Sequence, residues 1–566
     1  MILPRVKNNV QHEGVWTPKK TIVFSVNVAD ALGEKAVRAV EYFLPSNIIT
    51  VGEENADVKL VCVPKAPTAE WYRLTTDWNG VTVEYADARG AINAMASLAQ
   101  LVLEGEIGAG VIEDYPDFSY RSLMLDLARG LREPLQDIKD VIVYMALTKY
   151  NYLHLHLQDS QSLCYKSDAA PGIAGSQRRN GRQYTKVQLR ELVDFCEIFE
   201  IEVIPEIEVP AHAGAVLRAY PQFRCEVDPV ENTSLWCVCP THEELFAMYE
   251  GLIRELCEIF PGKYIHIGAD ELEFRGRTEL NQFCYWRECP RCQKLREEKG
   301  FLDIREQFYY VIQRVYDIVK ACGKSVMMWS EQIDIAKECP LPKDILIHFW
   351  RVASSVTGPK EGCSMEGFAK QGYSIVNSYY PQTYIDFDSY LKEENLCKWN
   401  PVTDPEIYED GQKYVTGGEM CAWEYGHREA YDFYDYTIPM HLPLFADRLW
   451  RSEPVEYTKE YRKDVYKTVF GKYLENELYP IIGAIVPPRK KSSGTLLSYL
   501  PLEEIDNDYI ALCVEELSAP ATGVYQKMRL EYIKLLQRIA LEQFKANRAA
   551  VEAAKAAVAN VAVANA

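Results

Sequence analysis

From Tyr120 to Trp450 the sequence repeats one unit, a short apolar run followed by a segment of helix length. That alternation constrains the fold more than any other feature. Eight runs read as strands: residues 122–128, 152–157, 202–209, 264–269, 325–329, 345–349, 373–378 and 414–421. Periodic helical patterns fill most intervals, at 137–147, 186–199, 242–259 and 303–321, while 333–337 leaves room only for a brief helix. Strands alternating with helices pair in parallel, and eight is the count that closes a (β/α)8 TIM barrel. An open doubly wound sheet is the alternative, but no glycine-rich phosphate loop follows any early strand.

A barrel gathers function at the C-terminal ends of its strands. Those ends carry Asp126 and Arg129, Asp159, Glu206 with Glu208 and His212, Asp270-Glu271, Trp329 with Glu331, and Trp350-Arg351. After the last two come Tyr379, Tyr380, Tyr384 and Asp386, then Glu419, Trp423 and Glu424. Acids and aromatics at nearly every end suit a carbohydrate, whose ring faces pack on aromatics while its hydroxyls donate to carboxylates. Some of these tryptophans would equally serve as ordinary core.

The sharpest element is Tyr264-Ile265-His266-Ile267-Gly268-Ala269-Asp270-Glu271, a buried-strand pattern ending on adjacent acids. Side chains alternate across a strand, so neighbouring acids share a cavity only where strand gives way to loop. There each raises the other's cost of ionisation, which keeps one carboxyl protonated beside an ionised one. The same pair could instead cap a following helix.

The chain has 566 residues, 48% hydrophobic and 12% aromatic, enough for several cores. Its net charge of −20 argues against nucleic acid and anionic membrane as partners, since both demand a basic footprint. No run reaches the length of a membrane span. Residues 1–16 lack a signal-peptide apolar core, and the 16 cysteines are scattered through the chain, so a cytoplasmic protein with reduced thiols is expected. A secreted protein missing its leader would read the same.

Three parts are expected: a small α+β domain at 1–116, the catalytic barrel at 117–455, and a helical region at 456–566 ending in a low-complexity tail. The first shows strands at 21–28 and 58–63, helices at 30–43 and 88–103, and a hairpin around Asn79-Gly80. The last shows helices at 464–478 and 525–547. It is expected to cover the barrel or to form a homodimer contact.

On these residues the chain resembles the family 20 glycoside hydrolases, the β-N-acetylhexosaminidases. His266-Ile267-Gly268-Ala269-Asp270-Glu271 stands against that family's His-x-Gly-Gly-Asp-Glu. Ile2-Leu3-Pro4, Ala86-Asp87-Ala88-Arg89-Gly90-Ala91, Tyr120 to Asp126, Val203 to His212, Tyr384-Ile385-Asp386, Gly417-Gly418-Glu419 with Trp423, and Arg448-Leu449-Trp450 match in order. The resemblance implies exo removal of terminal β-linked GlcNAc or GalNAc from a glycan or amino-sugar oligosaccharide, with retention and without cofactor or metal. Glu271 would be the general acid and then base, and Asp270 would orient the 2-acetamido group, whose carbonyl oxygen is the nucleophile. Tyr384 would hydrogen-bond that carbonyl, and Trp329, Trp350 and Trp423 would wall the pocket. Arg121 would hold ring hydroxyls, Asp386 and Glu424 those nearer the hydroxymethyl end, and Asp159 and His212 would support the acid. The chemistry agrees: Glu271 must stay protonated near neutrality, and an acetamide beside the anomeric carbon is already intramolecular.

The sequence departs from the family at Ala269, Glu208 (usually Asp), Ala211 (usually Gly) and Ser160 (usually Asp). After Trp423 it also lacks one residue of the usual Trp-Gly-Glu, leaving Glu419 as an alternative to Glu424. Two other readings compete. An idle carbohydrate-binding barrel would keep the tryptophans. A metal-dependent hydrolase would use His154-x-His156 with His212, His266 and Asp270, although the mid-strand position of that pair favours packed core. Cys289-Pro-Arg-Cys292 with Cys284, and Cys237-Val-Cys239 with Cys225, hint at zinc. Neither set has four ligands at regular spacing, so local packing is expected.

Overall fold

A computed structural model describes residues 1–27, 30–45, 47–129, 135–173, 183–228, 236–272, 284–330, 332–352, 363–385, 392–423 and 438–465. Two sheets organise them. The first has seven strands in the order Asn8–Trp16, Ile107–Asp114, Tyr72–Asp77, Gly80–Tyr85, Val58–Cys62, Thr21–Ser25, Ile48–Val51. Helices Ala31–Phe43 and Ala88–Glu104 pack together against it. Each opens on an aspartate cap: Asp30 accepts from the Gly33 amide and Asp87 from the Gly90 amide, worth about 1 kcal/mol apiece. Asp87 also accepts the Glu70 amide at 2.8 Å, which fixes the turn carrying Glu70. The hairpin lies where expected, with Asp77 opposite Gly80.

The second sheet is the barrel. Strands Tyr120–Asp126, Tyr152–His156, Glu202–Glu206, Tyr264–His266, Ser325–Trp329, Leu346–Phe349, Ile375–Asn377 and Val415–Ala422 follow in sequence order. The last pairs in parallel with both the seventh and the first, closing the ring. Closure demands glycine at Gly417, where φ is +154° and a Cβ would lie 1.8 Å from the Tyr120 carbonyl oxygen. All eight expected strands are present. The short strand Tyr384–Ile385 adds to the edge of the eighth. No helix forms among residues 333–337, which left room only for a brief one.

Inward side chains fill the barrel in layers. At the N-terminal end Tyr120, Ile204, Met327, Leu346 and Val376 pack with Tyr152 and Tyr264. At the C-terminal end Met124, Trp329, Tyr384, Cys421 and Trp423 pack with Trp350 and Tyr380. Between them lies a buried polar layer of His154, Glu206, His266, His348 and Glu419.

The two sheets are joined beneath the barrel by the sequence motifs that carry no chemistry. Gln100 exchanges hydrogen bonds with the Leu3 backbone and reaches the Leu147 carbonyl. Asp114, fully buried, pairs with Lys149 at 3.0 Å and accepts from the Trp450 indole at 2.9 Å. Arg5 bonds Asp447 in helix Ile438–Trp450. Beyond Trp450 the described chain holds helix Lys459–Val465; the helices expected at 464–478 and 525–547 lie, but for residues 464 and 465, outside the described residues. No described helix is long and apolar enough to cross a membrane.

Candidate active site

The fourth strand, Tyr264–His266, ends early, and the chain then turns through Gly268, Ala269 and Glu271 at φ of +64°, +76° and +46°. Left-handed conformations in non-glycine residues cost on the order of 1–3 kcal/mol each and persist where surrounding contacts impose them. Glycine at 268 relieves both the left-handed φ and the space, since a Cβ there would fall 1.8 Å from Glu208 Oε2 and displace that side chain. The turn brings both acids to one rim of the barrel, as the strand-to-loop argument requires. Residues 271 and 272 are not helical, and the stretch that a capping role would need lies outside the described residues.

His212, itself at φ +49°, ties the acids to the rest of the site. Its Nε2 lies 3.4 Å from Asp270 Oδ2 and 3.5 Å from Glu271 Oε2, and its Nδ1 lies 3.3 Å from Asp159 Oδ2. Burial opposes charging this imidazole, but Asp159 and Asp270 outweigh burial and hold it well above the ordinary histidine range. Asp159 accepts from His156 at 3.1 Å and pairs with Arg129 at 2.7 Å. Burial alone would raise its carboxyl; Arg129 and His212 instead hold it well below the usual carboxylate range. Trp236 donates its indole N–H to the Glu271 carbonyl at 2.9 Å and packs against His212. Arg351 approaches Glu271 Oε1 at 3.9 Å.

Glu208 is fully buried beside this chain, and neither carboxyl oxygen has a hydrogen-bond partner among the described residues. Burial first, then the charges of Asp270 and Glu206, push its pKa well above the usual carboxylate range, which favours the neutral acid beneath Gly268.

The same end of the barrel holds an aromatic box. Trp350 stacks parallel to Tyr384 with centroids 6.0 Å apart, and Trp423 meets Tyr384 at 5.7 Å and Trp329 at 6.0 Å. Trp329 is locked by its indole hydrogen bond to Glu206 at 2.7 Å and by stacking on His348. The Trp423 indole nitrogen and Asp270 Oδ1 are buried without hydrogen-bond partners among the described residues. Asp386, Glu424 and Glu331 lie outside the described residues.

Arg121 requires correction. Its neighbours Tyr120 and Ser122 sit on the opposite face of the first strand, so Arg121 points out of the barrel at the N-terminal end. It is 1% exposed, bonds the Phe118 and Lys149 carbonyls and pairs with Glu70 of the first sheet's domain. The cation at the substrate end is Arg129, three residues beyond Asp126. It pairs with Asp126 at 2.9 Å and lies 4.6 Å over the Trp423 ring. Its position past the strand end was the available signal. Glu419 is likewise no strand-end group: it is fully buried, bonded to His154 at 2.7 Å and Tyr120 at 3.1 Å, and its carboxyl, raised by burial, is brought down to about 2 by His154 and His348.

His154 and His156 share one face of their strand as expected, with partners of their own. Burial disfavours their charge, but Glu419 and Glu206 push His154 up to about 10, and Glu206 with Asp159 push His156 up to about 9. His154 and His156 are thus held towards the charged form against Glu206 and Glu419, while burial keeps His266 and His348 below the ordinary histidine range, and Glu206 holds the Trp329 indole from below.

A parallel barrel with an acid pair and an aromatic box at the same end is the arrangement of a glycosidase-type site. Residues 118–453 match the model of the glycosyl hydrolase family 20 catalytic domain, and residues 11–115 that of the family's domain 2. The chain belongs to glycosyl hydrolase family 20 and is a glycoside hydrolase. A β-hexosaminidase of Akkermansia muciniphila is 30% identical over 428 residues, covering 72% of this chain and 80% of that one. A β-hexosaminidase of Porphyromonas gingivalis is 30% identical over 411 residues, 67% of this chain and 51% of its own length, so this chain spans about half of that relative. Among solved structures, the family 20 exo β-N-acetylglucosaminidase of Vibrio harveyi in complex with N-acetylglucosamine superposes with TM-score 0.68 at 20% identity, covering 84% of this chain and 76% of that chain.

Proposed function

We propose that the protein is an exo-acting β-N-acetylhexosaminidase that removes terminal β-linked GlcNAc or GalNAc with retention, using the substrate's own acetamide as nucleophile. One observation carries the reading: Asp270 and Glu271 converge on a single imidazole nitrogen from one rim. Two protein carboxylates acting as nucleophile and acid must flank a sugar from opposite sides. Among the described residues both stand together, which supports a nucleophile supplied by the ligand.

Glu271 protonates the leaving oxygen and then deprotonates water. Asp270, through its unpartnered Oδ1, accepts the acetamide N–H and favours the positive charge that develops as the ring closes on the anomeric carbon. Tyr384 donates to the acetamide carbonyl, and Trp329, Trp350 and Trp423 enclose the methyl group and the sugar face. Arg129, in place of Arg121, holds the ring hydroxyls remote from the scissile bond. Asp386 and Glu424 keep their assigned role at the hydroxymethyl end. The holo site needs no metal in this scheme.

The test is hydrolysis of p-nitrophenyl β-GlcNAc and β-GalNAc, without added metal, by wild type and Glu271→Gln. The variant is expected to lose on the order of 10² or more in rate. Wild-type binding without turnover would overturn the reading in favour of an idle barrel, and a chelator-sensitive rate would favour the metal-dependent hydrolase.

A further inference from the structure

Outside the catalytic rim, Cys225, Cys239, Cys289 and Cys292 come together from two separate barrel loops. All four are buried, and their sulfurs lie within 4.8 Å of one another. The expectation of mere local packing therefore gives way to a single four-sulfur cluster. Cys225 follows the turn Pro221–Phe223, and Cys239 donates its backbone N–H to the Phe223 carbonyl at 2.8 Å. Cys289 caps helix Pro290–Lys299 and Cys292 lies in its first turn, so the pair forms a short chelating knuckle.

We propose that these four cysteines bind a structural zinc ion. A tetrahedral site with Zn–S bonds of about 2.3 Å has sulfur–sulfur edges of roughly 3.8 Å, and the Cys239 and Cys292 sulfurs lie 3.6 Å apart. Two disulfides would bring each sulfur close to one partner, at about 2.05 Å, and give no reason for four to converge. An iron–sulfur cluster would push the sulfurs apart to make room for several metal atoms. Four thiolates also fill the coordination of zinc and leave no open position, which marks a structural ion rather than a catalytic one. Thiolate charge is favoured here by the position of the knuckle at the start of the Pro290–Lys299 helix, the positive end of its dipole.

The position of the ion gives it a task. Cys225 and Cys239 belong to the loop after the third barrel strand, which also carries His212 and Trp236. Cys289 and Cys292 belong to the segment after the fourth strand, which carries Glu271. The two loops already touch through the Trp286 indole on the Val238 carbonyl at 2.8 Å and the Trp236 indole on the Glu271 carbonyl at 2.9 Å. Zinc staples them behind the acid, so His212 and Glu271 keep their spacing while the ion takes no part in the reaction. The inference is independent of the proposed substrate.

The test is metal analysis of the full chain expressed with zinc and purified without chelator or nickel. About one equivalent of zinc per chain is expected, retained through dialysis against EDTA and released by a mercurial thiol reagent. Cys289→Ser/Cys292→Ser should lose the ion, while Cys237→Ser, outside the quartet, should keep it. Because the double variant can misfold, wild type should also be reconstituted with cobalt(II), whose visible bands report a tetrahedral thiolate site. Zinc below about 0.1 equivalent in wild type with no cobalt bands, or a mass showing disulfides among these cysteines, would overturn the proposal. None of these readouts requires glycosidase activity.

Discussion

Glu208→Gln should stabilise the protein near neutral pH and lose that advantage in acid. Glu208 is fully buried, has no hydrogen-bond partner among the described residues and stands among Asp270, Glu206 and Asp159. Burial and those neighbours raise its pKa in the folded state. The folded chain therefore keeps a proton that the unfolded chain releases above about pH 4.3. The stability this group contributes is fully present below that unfolded value and is lost as pH rises through the folded one. A single proton gives a slope of at most about 1.4 kcal/mol per pH unit, or up to about 2.7 kcal/mol between pH 5 and 7. Glutamine mimics the protonated acid and has no such slope. At about 1.5 °C per kcal/mol for a domain of roughly 330 residues, the melting temperature of the variant minus that of wild type should rise by up to about 4 °C across the interval. Differential scanning fluorimetry in matched buffers reads it. Parallel curves from pH 5 to 8, or a difference that shrinks as pH rises, would refute the reasoning.

Arg121→Met should lower the melting temperature, since it removes the nearer of the two arginines on buried Glu70 and leaves Arg89 at 3.9 Å with Asn93, at a cost of about 1–3 kcal/mol, yet leave kcat of the folded enzyme near wild type. Arg129→Met, which also leaves Asp126 and Asp159 without their arginine, should in addition cut kcat/KM of the folded enzyme on the order of 10²; equal activities in the two variants would contradict the corrected placement. Tyr384→Phe should cost about 1–2 kcal/mol of transition-state stabilisation, roughly 10-fold in kcat/KM, with the Trp350 stacking retained, as measured on p-nitrophenyl β-GlcNAc. Asp159→Asn should destabilise most at pH values above the unfolded carboxyl value of about 3.9, because Asp159 is held low in the folded state and its stabilisation is lost only as pH falls through that lowered value; a variant melting like wild type at pH 7 would remove Asp159 from the account.

The barrel was legible because each of its strands is buried on both faces and so reads as an apolar run. The outer strand Asn8–Trp16 was not, since eight of its nine residues are exposed and leave no hydrophobic pattern. The acid pair and aromatic box were legible because a strand end is a fixed address in a barrel. Arg121 was misplaced by following a motif where side-chain alternation pointed the other way: Tyr120 faces inward, so Arg121 cannot. The polar layer was half visible in His154-x-His156, but its carboxylates come from the third and eighth strands, and only the closed ring brings them together. The four cysteines escaped for the same reason, since two loops separated by helix Glu243–Ile259 supply them.

The claim at the centre of this account is that the acetamide attacks. The most direct measurement is wild-type kcat/KM on p-nitrophenyl β-GlcNAc bearing zero, one, two or three fluorines on the acetyl methyl. Each fluorine withdraws electrons from the carbonyl oxygen, so substrate-assisted attack held by Asp270 and Tyr384 predicts a steep fall along the series. A rate indifferent to fluorine, or equal cleavage of the 2-hydroxy glucoside, would contradict it.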